Sequence, residues 1–248
     1  MKKQYFLYST YKTDKRGRKW LLGSRFVFTL RFFGIVLRSR RLALKGRYDR
    51  DEWSRSSIDI MRQLEDSGAM FTVKGFDILR ELREPVVFIS NHMSALETMV
   101  FPSLIAPFMD VTFVVKESLV NFPFFGPIMR SRDPIVVSRE SSREDLMVVL
   151  REGAEILKSG TSIIIFPQST RKEYFSTSEF NSLGVKLAEK NGVKVVPVAI
   201  KTDYWKNGKL VKDMGPLDRN QQVYIEFGRA ITVDRGRDAH RAVLDFII

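Results

Sequence analysis

The chain has 248 residues, a length that suits one α/β domain with or without a small appendage, and its hydrophobic (44%) and charged (28%) fractions are those of an ordinary globular protein. It contains no cysteine, which excludes disulfides, thiolate metal sites and cysteine nucleophiles, and its two histidines, His92 and His240, are too few for a structural zinc site. The formal charge of +12 is uneven: residues 1–50 carry fifteen Lys/Arg against Asp14 and Asp49, a net of +13, so the remaining 198 residues sum to −1.

A charged terminus of this kind suits nucleic acid or an anionic membrane, and residues 20–37 favour the membrane. The run WLLGSRFVFTLRFFGIVL is rich in aromatic and branched residues but holds Arg25 and Arg31. A central arginine costs about 2.5–3.5 kcal/mol in a spanning helix, so a span is disfavoured. No small-residue cleavage site follows, which argues against a secretory signal. A helix lying in the membrane interface tolerates the composition, because arginine stems snorkel while aromatics sink among acyl chains. The competing reading is a core helix whose arginines reach water. A nucleic-acid arm would not need so much apolar surface, and no nucleic-acid partner is expected. A second helix is expected over 52–67, where Trp53, Ile58, Met61 and Leu64 share a face.

From residue 71 short apolar runs alternate with helical stretches. FTVKGF, PVVFIS, VTFVV (111–115), PIVVS (134–138), SIIIFP (162–167), VVPVAI (195–200) and VYIEFG (223–228) read as strands, with helices expected over 95–106, 142–158 and 178–191. Ser142 can cap the second of these, and Asn191-Gly192 is a stop for the third. The pattern predicts an α/β fold: a largely parallel central sheet flanked by helices over 69–248, preceded by a basic, membrane-associated helical segment over 1–68.

In such sheets sites form where strands end. After PVVFIS comes Asn91-His92-Met93-Ser94-Ala95-Leu96-Glu97. His92 and Glu97 would lie about 140° apart on a regular helix, so they meet only if His92 occupies the turn before the helix and the glutamate reaches back. The carboxylate would then fix the imidazole tautomer and leave the other nitrogen free to take a proton. After SIIIF comes Phe166-Pro167-Gln168-Ser169-Thr170-Arg171, whose hydroxyls, amide and guanidinium suit a phosphate. Arg139 after PIVVS and Lys116 after VTFVV bring two more cations to strand ends. Taken singly, these are a structural histidine, a polar turn and solvated cations; their convergence on one rim carries the argument.

Together these blocks resemble the glycerolipid acyltransferase family typified by 1-acylglycerol-3-phosphate acyltransferases. Residues 91–97 resemble the catalytic block, in which four residues separate histidine from an acid. KESLVNFPFFGPIMR followed by DPIVVSR (116–139) resembles the second block, Phe166 to Arg171 the Phe-Pro-Glu-Gly-Thr-Arg block, and VVPVAI, with Pro197, the fourth; FGRAITV and HRAVLDFI resemble the closing strand and helix. The likeness covers roughly residues 70–248. Glu97 stands where the family has aspartate, and Gln168-Ser169 where it has Glu-Gly, which alters charge at the block that holds the acceptor's glycerol phosphate.

The resemblance implies an O-acyltransferase of phospholipid biosynthesis. His92, oriented by Glu97, would deprotonate a lysophospholipid hydroxyl, with 1-acylglycerol-3-phosphate the first choice, as it attacks an acyl thioester of coenzyme A or acyl carrier protein. Backbone amides at the helix onset would hold the oxyanion. Asn91, Ser94, Lys116, Arg139, Gln168, Ser169, Thr170 and Arg171 are the expected substrate contacts. No metal or bound cofactor is required, since the donor is consumed as a substrate. The basic N-terminus would seat the chain monotopically on the cytoplasmic face of the cell membrane. The competing functions are transfer to a different lipid hydroxyl, thioester hydrolysis, although no Gly-x-Ser-x-Gly elbow occurs, and lipid binding without turnover.

Overall fold

A computed structural model describes residues 8–14, 25–168, 170–208 and 215–248. The strands are β1 (Thr10–Lys12), β2 (Phe71–Lys74), β3 (Val87–Ser90), β4 (Val111–Lys116), β5 (Ile135–Val137), β6 (Ser162–Ile165), β7 (Val195–Lys201) and β8 (Val223–Phe227). All seven apolar runs form strands; β1 was not expected. They make one sheet in the order β1-β2-β8-β7-β3-β6-β4-β5. From β7 to β5 every pairing is parallel, so β3, β6, β4 and β5 all end at one edge of the sheet. β8 runs antiparallel to β7, β2 parallel to β8, and β1 antiparallel to β2.

The helices are α1 (Arg25–Leu44), α2 (Arg50–Asp66), α3 (Phe76–Glu81), α4 (Leu96–Ile105), α5 (Glu117–Val120), α6 (Gly126–Arg130), α7 (Ser142–Lys158), α8 (Leu183–Asn191) and α9 (Gly236–Ile247). They cover both faces of the sheet. Alternation along β3 and β6 sends Phe88 and Ile164 into the core shared with α1, α2 and α4, while Val87, Ile89, Ile163 and Ile165 join the core under α7, α8 and α9.

Two helix starts differ from expectation. Ser141, not Ser142, caps α7: its backbone is still extended and its Oγ accepts from Glu144 N at 3.4 Å, whereas Ser142 is already helical. The expected helix over 178–191 begins only at Leu183, because residues 177–179 close a single 3₁₀ turn and Asn181 Oδ1 accepts from Leu183 N at 2.9 Å. At the other end Gly192 takes the left-handed stop (φ 65°).

The apolar run at 20–37 is helical from Arg25 onward, continuing to Leu44; positions 20–24 lie outside the described residues. One face of α1 is core, as the competing reading held: Phe28 and Phe32 meet Trp205 edge-on with ring centroids 5.1 and 5.4 Å apart. The opposite face is exposed. Among the described residues no helix is long and apolar enough to cross a membrane. The division at residue 68 falls in the turn between α2 and β2, and the parts on either side share one core.

Candidate active site

His92 lies in the turn between β3 and α4, and Glu97, the second residue of α4, reaches back to it: Nδ1 and Oε1 are 2.9 Å apart. An ionised carboxylate only accepts, so Nδ1 carries the hydrogen and Nε2 is left as the proton acceptor. The imidazole stacks on Phe166 at 4.3 Å between ring centroids. His92 is 12% exposed at its side chain and Glu97 0%.

Burial alone would raise the Glu97 carboxyl. Hydrogen bonds and charge from His92, together with bonds from Thr202 and the Ser94 amide, outweigh it and hold the pKa below the ordinary value. Oε1 also accepts from Met93 N at 2.7 Å and Ser94 N at 2.8 Å, and Oε2 from Thr202 Oγ1 at 2.6 Å, with Ser94 Oγ 3.0 Å away. The glutamate therefore folds the turn around itself as well as orienting the ring.

This arrangement narrows the expected oxyanion site to fewer of the helix-onset amides. The amides of Met93 and Ser94 are committed to Glu97, that of Leu96 to Ser94 Oγ at 3.0 Å, and that of His92 to Gln168 Oε1 at 2.7 Å. A helix-onset amide already bonded inside the protein has no hydrogen left to aim at a substrate oxygen.

Three of the expected substrate contacts are buried and hydrogen-bonded within the frame. Asn91 brackets β7, donating from Nδ2 to Ile200 O and accepting at Oδ1 from Ile200 N, both at 2.9 Å. Ser94 Oγ lies 2.9 Å from Thr202 O. Gln168 holds the His92 amide, a task that needs only an acceptor oxygen, so the amide serves without the family's charge.

The loop that follows is pinned at both ends to the same residue: Gln168 Oε1 takes the His92 amide, and Lys172 N donates to His92 O at 3.0 Å. Thr170, which is exposed, and Arg171, which is half-buried, are thereby carried past the imidazole. Ser169 lies outside the described residues. Lys116 and Val137 are paired in register, which sets Arg139 beside the exposed Lys116 at the same sheet edge. With strands about 4.8 Å apart, β4 and β5 lie about 10 and 14 Å from β3, so the cations extend away from the imidazole rather than encircling it. Arg139 has a left-handed backbone (φ 61°), and its amide donates to Asp145 Oδ2 at 3.0 Å. Partial burial draws the guanidinium pKa down, opposed by Asp145.

Thr202 and Asn207 were not singled out in the sequence. Thr202 follows β7 as an unremarkable polar residue, and nothing local signals a bond to a glutamate 105 positions earlier. Asn207 Nδ2 donates to Met93 O at 3.1 Å.

A base–carboxylate pair at a parallel-sheet edge, with cations strung along that edge, suits acyl transfer, and the comparisons give the class. The Acyltransferase family model matches residues 70–201. A 1-acyl-sn-glycerol-3-phosphate acyltransferase of Pseudomonas aeruginosa is 30% identical over 79% of this chain and 74% of its own. A lyso-ornithine lipid O-acyltransferase of the same organism is 28% identical over 62% of this chain and 56% of its own. The crystal structure of the 1-acyl-sn-glycerophosphate (LPA) acyltransferase PlsC from Thermotoga maritima superposes with a TM-score of 0.68, covering 92% of each chain at 20% identity, and so shares the fold. The chain belongs to the Acyltransferase family and is an O-acyltransferase.

Proposed function

We propose that this enzyme transfers a fatty acyl group from an acyl thioester to the free hydroxyl of a lysophospholipid, 1-acylglycerol-3-phosphate first among them, in phospholipid biosynthesis. The observation that carries the reading is the His92–Glu97 pair, with Nε2 as proton acceptor beside a loop bearing Arg171. His92 Nε2 takes the hydroxyl proton as the oxygen attacks the thioester carbonyl. Glu97 stabilises the imidazolium, the C–S bond breaks, and the imidazolium returns its proton to the departing thiolate. Arg171, Arg139 and Lys116 are the groups assigned to the anionic parts of acceptor and donor. No metal or bound cofactor enters this scheme, and the donor is the thioester of coenzyme A or acyl carrier protein.

The net charge of +13 over residues 1–50 supports attachment to the cytoplasmic face of the cell membrane, where the acceptor resides. A second acceptor class is supported by the neutral Gln168 and by the similarity to a lyso-ornithine lipid acyltransferase: a lysolipid without the glycerol phosphate.

The test is to incubate pure protein with labelled acyl donors and a panel of lysolipids, with products read by mass spectrometry. Acylated lysophosphatidic acid formed by wild type and lost in His92→Ala supports the first reading. Acylation of another lysolipid alone supports the second. Free fatty acid independent of any lysolipid means hydrolysis, and wild-type-like transfer by His92→Ala refutes the mechanism.

A further inference from the structure

Glu97 fixes only part of the pose of His92. The bond from Nδ1 to Oε1 at 2.9 Å sets which nitrogen carries the hydrogen. A hydrogen bond tolerates tens of degrees of misalignment, however, and the torsion that turns an imidazole about its stem is intrinsically broad. The plane of the ring is set by Phe166, whose ring lies against the imidazole face with centroids 4.3 Å apart and an interplanar angle of 22°. Phe166 has firm backing. Its ring is nearly parallel to those of Phe101 on α4 (5.9 Å, 20°) and Phe113 on β4 (6.2 Å, 13°), both buried in the core. It also follows directly on the last residue of β6, and two residues further on Gln168 accepts from the His92 amide at 2.7 Å. One short segment therefore grips both the main chain and the ring of the base.

We infer that Phe166 is a positioning residue whose ring face stabilises the imidazolium formed when His92 Nε2 takes the acceptor's proton. This rests on the assignment of His92 as the base. The face of an aromatic ring carries partial negative charge, and it attracts a cation more strongly than a neutral ring. The attraction therefore grows as the proton arrives, which lowers the barrier instead of only tightening the resting state. Glu97 meets the charge at the edge of the imidazole and Phe166 meets it from the face. With the His92 side chain only 12% exposed, water does little to weaken either contact.

The experiment places phenylalanine analogues bearing one, two and three ring fluorines at position 166 alone in the full chain. Fluorine withdraws charge from the ring face and changes its shape little, so a role confined to packing would not follow the series. The readout is the single-turnover rate of acyl transfer from a labelled acyl thioester to the panel lysolipid that wild type acylates, which keeps product release out of the measurement. The rate should fall stepwise, by about tenfold across the series, while KM for the lysolipid and Tm stay near wild type. Phe166→Leu, apolar but without a ring face, should be at least as slow as the trifluorinated protein. An unchanged rate across the folded fluorinated proteins overturns the inference even if Phe166→Leu is slow, because lost packing would then account for the leucine variant. His92→Ala keeps the two readings apart. If it is inactive and the series is flat, the role of Phe166 falls and the mechanism stands; if it transfers at the wild-type rate, both fall.

Discussion

Thr202 Oγ1 donates to Glu97 Oε2 at 2.6 Å, tying the residue beyond the end of β7 to the carboxylate that orients the catalytic imidazole. Thr202→Val keeps the shape and removes this donor. The Glu97 pKa, held low in part by that bond, should rise in the variant. The stabilisation that ionised Glu97 contributes is lost as pH falls through this pKa, so in the variant it should be lost at a higher pH. The expected loss of stability is about 1 kcal/mol, the usual net contribution of a hydrogen bond. Denaturant titrations across acid pH that show the same pH of loss in variant and wild type would dissociate Thr202 from the pair.

Glu97→Gln tests whether the charge or the shape of the side chain matters. Oε1 now accepts three N–H donors, so the Gln amide must keep its oxygen there and place its NH₂ against the hydroxyls of Thr202 and Ser94, which have to turn to accept it. We expect kcat to fall about 10²–10⁴-fold, the range for disabling a general base. The protein should also lose about 1–3 kcal/mol by denaturant titration, because the Thr202 hydroxyl loses its carboxylate acceptor and the three N–H donors face a neutral oxygen. The native carboxylate contributes its stabilisation fully above the ordinary carboxyl range, about pH 4, and loses it as pH falls through the depressed folded pKa. Wild type and variant should therefore converge in stability in acid.

Gln168 separates hydrogen bonding from charge. Gln168→Leu orphans the buried His92 amide and should cost about 1–3 kcal/mol along with much of the activity. Gln168→Glu keeps an acceptor oxygen for that amide and should fold with near-native Tm, while shifting KM among lysolipids. Equal KM values across the panel for wild type and Gln168→Glu would show that this side chain has no part in acceptor choice.

Arg171→Ala should raise KM for a phosphate-bearing acceptor by about 10–100-fold, the equivalent of one charge-assisted hydrogen bond, with less change in kcat. Steady-state kinetics over an acceptor series decides the point. A fall in kcat at constant KM would move Arg171 from holding the ground state to stabilising the transition state.

Much of this architecture is legible before folding is considered. Fully apolar runs such as SIIIF are buried on both faces of a sheet, and that pattern survives any uncertainty about partners. β1 was hidden because two half-buried residues and an exposed lysine, Thr-Tyr-Lys, gain strand geometry only by pairing with β2 sixty positions away. α1 was legible as a greasy, basic helix, but not as one with two apolar faces, since sequence cannot say that Trp205 covers one of them. The His92–Glu97 meeting was deducible from spacing and strand position. The inward turn of Asn91, Ser94 and Gln168 was not, because each bonds backbone or side chains contributed by distant strands and loops.

The depth of the Glu97 carboxylate gives the two halves of the site different responses to ionic strength. With the glutamate fully buried and the imidazole nearly so, mobile counterions cannot come between them, while Lys116 is exposed and Arg139 only partly shielded from solvent. Added sodium chloride should therefore weaken substrate capture and leave the proton-transfer step untouched. A salt titration would then resolve by kinetics what the fold has already separated in space.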